Sequence, residues 1–326
     1  MKSTNIGIWV AFLGFSIFGF YNLPSANSAG FPTKPINLYV GMNPGGATDV
    51  AARTLGAEAN KYVSSPFIVV NKPGGGGVLA TDFVCKAKPD GYTLNWTTLG
   101  TVIQPVVDPN NPFKLSDLTP IARVYQMPMA IVVQSDSKYK SLEDLIKGAK
   151  ERPGVIAAGS PGVKSIWHFA MEMLMKEAGC KFRHVPFKSD AEVVTALLGK
   201  HVEVGFIGAP AALEYFKNGS LKGLAITLSH RALNMPDVPT QAEKGYSKAA
   251  VVTWGTIQGP AGIPKEAIDK ISSAVEKALK VPELNKAYEA LGFLPSFMGP
   301  TEAKQFIAEE EKRMQEVAKS ANLIGR

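Results

Sequence analysis

The sequence predicts a two-lobed α/β fold with a cleft between the lobes and two chain crossings that join them. Short apolar runs typical of buried strands alternate with helical patterns throughout the chain after residue 30. The alternation comes as two similar sets, and a length of 326 residues suits two domains better than one. Turns rich in glycine and hydroxyl groups join strands to helices in both sets, and in open α/β sheets such turns face the crevice where small molecules bind.

The first set begins with a predicted buried strand at Ile36–Met42 and a helix at Thr48–Lys61, for which Thr48 is the expected N-cap. A strand at Phe67–Asn71, a helix at Val78–Lys86 and a strand at Tyr92–Thr98 follow. This βαβα order predicts a mostly parallel sheet with helices on both faces.

The second set contains two helix starts with clear caps. Ser141 and Asp144 flank one of them, and Ser189 and Glu192 have the spacing of a capping box at the other. The predicted elements of this set are Ala130–Gln134, Ser141–Lys150, Val155–Ala158, Ser165–Ala178, Phe182–Val185, Asp190–Leu198, Val202–Phe206 and Leu224–Leu228.

The tail begins with another β region at Val251–Gln258 and continues with predicted helices at Pro264–Leu279, with proline at N1, Pro282–Leu291 and Thr301–Ser320. Because this β region follows the second set, we expect the tail to return to the first lobe. The first lobe is then discontinuous and spans residues 30–124 and 231–326, while the second spans 125–230. The two crossings are expected near Arg123–Met127 and Ser229–Leu233.

The first 29 residues have the pattern of a secretory signal peptide. Lys2 supplies a positive charge, Ile6–Tyr21 is apolar, and Ser25–Ala29 is a run of small residues. The apolar stretch is shorter than the ~20 residues that a membrane span needs. We therefore expect cleavage after Ser28 or Ala29, a choice that the sequence leaves open, and a periplasmic protein.

Composition and motifs argue against several other classes. The formal net charge is +7, and the basic residues are interleaved with acids, so no patch for nucleic acid is predicted. Cys180 and His184 lack a second pair of metal ligands nearby, so we predict neither a metal site nor a cofactor. A hydrolase that pairs Ser160 or Ser165 with His168 remains an alternative, although no Gly-x-Ser-x-Gly motif is present.

Three strand-to-helix turns are the candidate binding elements. Residues 43–49, 159–165 and 187–191 place glycines, hydroxyls and helix N-termini where an anion can bind without an arginine. A fourth glycine-rich turn, at residues 72–77, lacks the Gly-Lys-Ser/Thr of a P-loop, so we interpret it as structural.

Several motifs together resemble the substrate-binding proteins of tripartite tricarboxylate transporters, the Bug family. They are spread over nearly all of the chain after the leader: Phe31–Ile36, Pro44–Asp49 with Ala52-Arg53, Val70–Gly74 with Gly76, Pro89–Thr93, Pro153-Gly154, Gly159-Ser160, Ser165, His168, Glu172, His184–Lys188, Trp254 and Ala261–Pro264.

This resemblance implies a type II periplasmic-binding-protein fold that binds a small organic carboxylate through main-chain amides, hydroxyls and water. It implies a monomer that delivers its ligand to membrane permease subunits; a sensory binding protein remains the alternative. The ligand-binding residues that it implies are Asn43, Gly45, Gly46, Ala47, Thr48, Asp49, Ser160, Lys164, Ser165, His168, Lys188, Ser189, Asp190 and Ala191.

Two residues depart from the pattern of the family. Lys164 and Asp190 stand in turns where the family usually has small neutral residues. Asp190 disfavours a second ligand carboxylate unless Lys164 compensates. The ligand is then a monocarboxylate, an amino acid or an aromatic acid rather than a citrate-like compound, unless both side chains point to solvent or pair with each other.

The two cysteines, Cys85 and Cys180, fall in different predicted lobes. A disulfide between them would need Cα atoms within ~7 Å and would oppose the opening of the hinge. We therefore expect two reduced thiols.

Overall fold

The computed structural model describes residues 30–232 and 234–325, so the predicted signal peptide at residues 1–29 lies outside the described residues. The strands of this part are β1 Ile36–Val40, β2 Phe67–Asn71, β3 Thr93–Thr98, β4 Leu118–Met127, β5 Met129–Gln134, β6 Ala157–Pro161, β7 Arg183–Phe187, β8 Val204–Gly208, β9 Leu221–Ile226, β10 Thr253–Pro260 and β11 Leu294–Met298. The helices are α1 Ala47–Ala59, α2 Val78–Cys85, α3 Leu99–Val107, α4 Leu142–Glu151, α5 Ile166–Ala178, α6 Asp190–Leu198, α7 Ala209–Lys217, α8 Lys265–Ala278, α9 Pro282–Ala290 and α10 Pro300–Ser320.

The strands form two sheets. The first has the order β11-β4-β10-β3-β1-β2 and the second β7-β6-β8-β5-β9. The pairs β1–β2, β1–β3, β6–β7 and β6–β8 are parallel, but β10 is antiparallel to β3 and β4, and β5 is antiparallel to β8 and β9. The strands of the first set, β1, β2 and β3, pair in parallel as predicted, but each complete sheet is mixed, so the prediction of a mostly parallel sheet was wrong for the sheets as a whole. The chain leaves the first sheet at the end of β4, forms the second sheet, and re-enters the first sheet along β10, which runs in the opposite direction to β4.

The tail returns to the first sheet, because β10 and β11 both pair with β4. Some helices bridge the two sheets: Leu99 of α3 and Met314 of α10 share a buried cluster with Ile131 of β5 and Phe169 of α5. Leu228, Ala232, Met235 and Val238, which follow β9, pack with the second sheet. The exact lobe boundaries stay a prediction.

Two of the predicted helix starts have the N-cap that was predicted, and two do not. Ser141 and Ser189 cap α4 and α6 as predicted, accepting hydrogen bonds from the N–H groups of Asp144 and Glu192. Thr48 is not an N-cap, because α1 already begins at Ala47 and its N-cap is the extended Gly46. Pro264 is likewise the N-cap of α8 rather than its first residue.

None of the helices within residues 30–232 and 234–325 is both long enough and apolar enough to cross a bilayer.

The cysteines lie on separate elements: Cys85 ends α2, and Cys180 follows the Gly179 that terminates α5. Both thiols are free and partly buried. Burial, with a contribution from nearby carboxylates, raises the pKa of Cys85 to about 12, and burial raises the pKa of Cys180 to about 11. The thiolate, which is the reactive form, is therefore scarce at neutral pH.

We expect the denatured protein to show two thiols per chain when it is titrated without reductant, and the native protein to react with both slowly. A count of zero in monomeric protein would contradict this prediction, since it would require a bond between Cys85 and Cys180.

Candidate functional site

A cavity of about 380 Å³ lies where strands and helix starts of both sheets meet. Its polar lining comes from the hydroxyls of Thr48, Thr98, Tyr125 and Thr253 and the carboxyl of Asp190. The rest of the lining is apolar or backbone, and consists of Met42, Ala47, Met127, Ile166, Trp167, Gly208, Pro210, Ala211, Leu291 and Phe293. This mixture suits a small organic molecule with a polar end.

Five helices begin at this cavity. The turns before α1, α5 and α6 were predicted as binding elements, and the starts of α3 and α7 join them at Thr98 and Gly208. Helix N-termini present unpaired N–H groups and partial positive charge. The cavity is therefore suited to an anion although, among the described residues, neither lysine nor arginine lines it.

The start of α1 is the most open of these ends. Its N-cap Gly46 makes no side-chain hydrogen bond, and the helical ladder begins only where Val50 N–H donates to Gly46 O at 2.9 Å. The N–H groups of Ala47 and Thr48 thus precede the ladder at residues that line the cavity. Such N–H groups are suited to hydrogen-bonding a carboxylate.

Asp49 fixes the turn that leads into α1 and does not line the cavity. Its buried carboxylate accepts hydrogen bonds from Gly45 N at 2.9 Å, Arg53 Nε at 3.0 Å and Asn71 Nδ2 at 2.7 Å. Burial by itself raises the pKa of Asp49, but these hydrogen bonds outweigh burial and hold the pKa below its usual value. The carboxylate therefore remains ionised and ties α1 to the end of β2.

The serine hydroxyls at the starts of α5 and α6 are already used within the protein. Ser165 Oγ accepts from His168 N at 3.2 Å and donates to Gly162 O at 2.9 Å. Ser189 Oγ accepts from Glu192 N, and Lys188 N–H donates to Glu192 Oε2. The side chains of Lys188, Ser189 and Ala191 are exposed. These turns contribute to the cavity through the first residues of the two helices, which are Ile166 and Trp167 in α5 and Asp190 in α6.

Two histidines, His168 and His184, form a network with Ser160, in which His168 and Ser160 are buried and His184 is partly buried. Ser160 Oγ lies 2.8 Å from His184 Nε2, and the His184 ring stacks on His168 with ring centroids 4.0 Å apart. His168 Nδ1 accepts from Lys164 N at 3.1 Å, and its Nε2 lies 3.4 Å from Glu172 Oε1.

This network contradicts the proposed hydrolase dyad, because the ring nitrogens of His168 face Lys164 and Glu172 rather than either serine. The serine that does meet a histidine, Ser160, is completely buried. Burial, aided by His168, lowers the pKa of its partner His184 to about 4, so that imidazole is neutral at pH 7 and a poor base.

Lys164 and Asp190, the two charged residues that depart from the family pattern, line different cavities. Lys164 adopts a left-handed backbone conformation, with φ at 59°, and lines a second cavity with Gln104 and Asp108. Asp190 lines the first cavity. Burial raises the pKa of Asp190 to about 6, against the opposing effect of the hydrogen bond that its carboxylate accepts from Gly208 N.

Tyr125 is a cavity residue that the sequence analysis missed. Its ring stacks on Phe293 with centroids 4.2 Å apart, and its Cδ1, Cε1 and Cζ atoms lie so close to Gly255 that a Cβ atom there would overlap them. Burial raises the pKa of its hydroxyl to about 12, against the opposing effects of Trp96 and Thr48 beside it. No local motif marks this residue, because its position depends on the pairing of β4 with β10.

The predicted binding residues therefore lie in different parts of the structure. Ala47, Thr48 and Asp190 line the cavity, Lys164 and Ser165 line the neighbouring one, and the others support the turns, lie in the histidine network or are exposed. Within residues 30–232 and 234–325, no group of three or more His, Cys, Asp or Glu side chains is arranged to hold a metal ion.

A family model described as the tripartite tricarboxylate transporter family receptor matches residues 51–323. Among curated relatives, Protein BugT of Bordetella pertussis is 32% identical over 311 residues, which cover 94% of this chain and 93% of BugT.

Three solved structures are also similar. A TctC solute binding protein from Polaromonas, without ligand, superposes with a TM-score of 0.81 at 28% identity, covering 89% of this chain and 99% of that chain. MatC from Rhodopseudomonas palustris with bound malate gives 0.71 at 26% identity, with coverage of 88% and 99%. R. palustris Rpa4515 with adipate gives 0.75 at 26% identity, with coverage of 90% and 98%. The predicted family resemblance and the two-lobed α/β fold are confirmed.

Proposed function

As a member of the tripartite tricarboxylate transporter receptor family, this chain belongs with solute-binding receptors, and we propose that it binds a small organic carboxylate in the cavity between its two sheets. The observation that carries the proposal is the open start of α1, where the N–H groups of Ala47 and Thr48 precede the helical ladder at the cavity. A ligand carboxylate accepts hydrogen bonds from these N–H groups and is stabilised by the helix dipole.

The relatives support this class of ligand, since one similar receptor was solved with malate and another with adipate. We propose further that the protein acts in the periplasm as a monomer and delivers its ligand to membrane permease subunits. It does so without catalysis, because binding and release complete its task.

Mass spectrometry of the small molecules that co-purify with the protein tests the proposal directly. The bound compound is expected to carry a carboxylate, and the same compound is expected to raise the melting temperature of ligand-stripped protein, because binding to the native state alone stabilises it. If no acid in a broad panel shifts the melting temperature, the proposal fails.

Thr48 and Ser165 make a matched pair for locating the carboxylate. Thr48→Val removes a hydroxyl that lines the cavity, and we expect it to weaken binding of the best acid in the panel about tenfold, with little loss of stability. Ser165→Ala removes the cap of α5, and we expect it to lower stability by about 1 kcal/mol and to change affinity less. Calorimetry and thermal unfolding of both variants measure the contrast, and the reverse pattern would move the carboxylate to α5.

A further inference from the structure

We propose that Asp190 takes the place of a second ligand carboxylate, so that this receptor selects compounds with one carboxylate and one protonated amine over dicarboxylates. This inference rests on the proposed function and concerns the same cavity.

Asp190 occupies the start of α7 as a bound anion would. Its Oδ1 accepts a hydrogen bond from Gly208 N at 3.1 Å, and Gly208 is the N-cap of α7. Of the next two residues of α7, Ala209 donates its N–H to Pro128 O at 3.0 Å, and Pro210 has no N–H to offer. The carboxylate of Asp190 and the carbonyl of Pro128 therefore already accept hydrogen bonds from most of the N–H groups that this helix start could donate to a ligand anion.

The start of α1 differs in this respect. Its acidic residue, Asp49, points away from the cavity and is held by Gly45, Arg53 and Asn71. The N–H groups of Ala47 and Thr48 are left at the cavity wall. The cavity therefore offers an open place for one carboxylate on the side of α1 and presents a fixed carboxylate on the side of α7.

The rest of the lining determines what can lie near Asp190. Among the described residues, Asp190 is the only charged one that lines this cavity, and one hydrogen bond, from Gly208, reaches its carboxyl. A second ligand carboxylate within a space of about 380 Å³ would meet a like charge without a neighbouring cation. A protonated amine would instead form a charge-assisted hydrogen bond with the second oxygen of Asp190. The apolar residues of the lining suit the carbon chain of such a compound.

Four probes of similar size, three of them linear, test the inference by calorimetry on ligand-stripped full-length protein. Adipate and 5-aminopentanoate share a chain of four methylenes and differ in one end group; pentanoate lacks the second charge, and leucine carries its amine beside the carboxylate. We expect the wild type to bind 5-aminopentanoate or leucine at least tenfold more tightly than adipate or pentanoate. Which of the two amines binds more tightly shows whether the amine lies at the far end of the chain or beside the carboxylate.

Asp190→Asn is the matched variant, because its amide oxygen can still accept the hydrogen bond from Gly208. We expect Asp190→Asn to weaken binding of the amino acids at least tenfold and to strengthen binding of adipate. If the wild type prefers adipate and the variant binds all four probes unchanged, the inference is wrong and the proposed function stands. If no carboxylate binds to either protein, both fail.

A measurement without ligand checks that the variant folds and that Asp190 is desolvated. The pKa of Asp190 in the folded protein, about 6, lies above its ordinary value of 3.8, so its ionisation opposes folding as the pH rises through this window. Tyr125, the other titratable residue in the lining, has a pKa of about 12 and does not titrate there. Unliganded Asp190→Asn should therefore melt above the wild type at pH 7.5, with a difference that shrinks towards pH 4. Equal melting temperatures at pH 7.5 would contradict the inference, because Asp190 would then be a solvated surface carboxylate.

Discussion

Replacing Asp49 with alanine is expected to weaken ligand binding about a hundredfold and to destabilise the protein by about 2–4 kcal/mol. The side chain lines no part of the cavity, so the effect on affinity is indirect. Without the carboxylate, Gly45 N, Arg53 and Asn71 lose a shared acceptor, and the turn before α1 loses the contact that fixes it against β2. Misplacing the two N–H groups at Ala47 and Thr48 costs about two charge-assisted hydrogen bonds, each worth tenfold or more in affinity.

The pH dependence of the free energy of unfolding gives an independent check on the predicted loss of stability. The pKa of Asp49 is lowered in the folded protein by its hydrogen bonds, so its contribution to stability is complete above its ordinary value of 3.8 and is lost as the pH falls through the lower folded value. The wild type and Asp49→Ala should therefore differ most near neutral pH and converge in strong acid.

Asp269→Ala is a suitable control, since Asp269 pairs with Lys265 on α8 at the same i,i+4 spacing but on the exposed surface. Its loss is expected to cost less than about 1 kcal/mol and to leave affinity unchanged. If Asp49→Ala unfolds more easily but binds normally, the carboxylate of the ligand is not held at α1.

What the sequence predicted well was local. The strand at Phe67–Asn71 and the helix at Asp190–Leu198 have the predicted bounds, and Ser141 and Ser189 cap their helices as predicted. Each of these features is decided within a few residues by periodicity or by one side-chain hydrogen bond. The family motifs then extended these local predictions to a fold.

What the sequence did not predict depends in one case on a local helix breaker and otherwise on partners distant along the chain. The helix α3 was missed because it begins directly after β3 and contains Pro105, a residue that normally argues against a helix interior. Ser160 lies within hydrogen-bonding distance of His184 rather than of His168, which is nearer in the sequence, because β6 and β7 lie side by side. Asp49 belongs to the predicted binding turn, and no local pattern indicates the hydrogen bond that its carboxylate accepts from Asn71 of β2.

Substituting Gly255 with alanine is the second change for which we expect a large effect. Gly255 lies in β10 opposite Tyr125 of β4 and Thr98 of β3, two residues that line the cavity. A Cβ atom at this position would overlap the Tyr125 ring, which also stacks on Phe293. Forcing the ring to move is expected to cost about 1–3 kcal/mol of stability, as overpacking of a well-packed core does.

Affinity should fall with stability, by tenfold or more, because the displaced Tyr125 either enters the cavity or pulls β4 away from β10. A double-mutant cycle separates the ring contact from a general disturbance of the strand. Tyr125→Leu removes the ring, so adding Gly255→Ala in that background should cost much less than it does in the wild type, with a coupling energy of about 1 kcal/mol or more. Chemical unfolding of the four proteins measures the coupling. An equal cost in both backgrounds would contradict this prediction and show that Gly255 is needed for the irregular pairing of β10 itself rather than for the position of the Tyr125 ring.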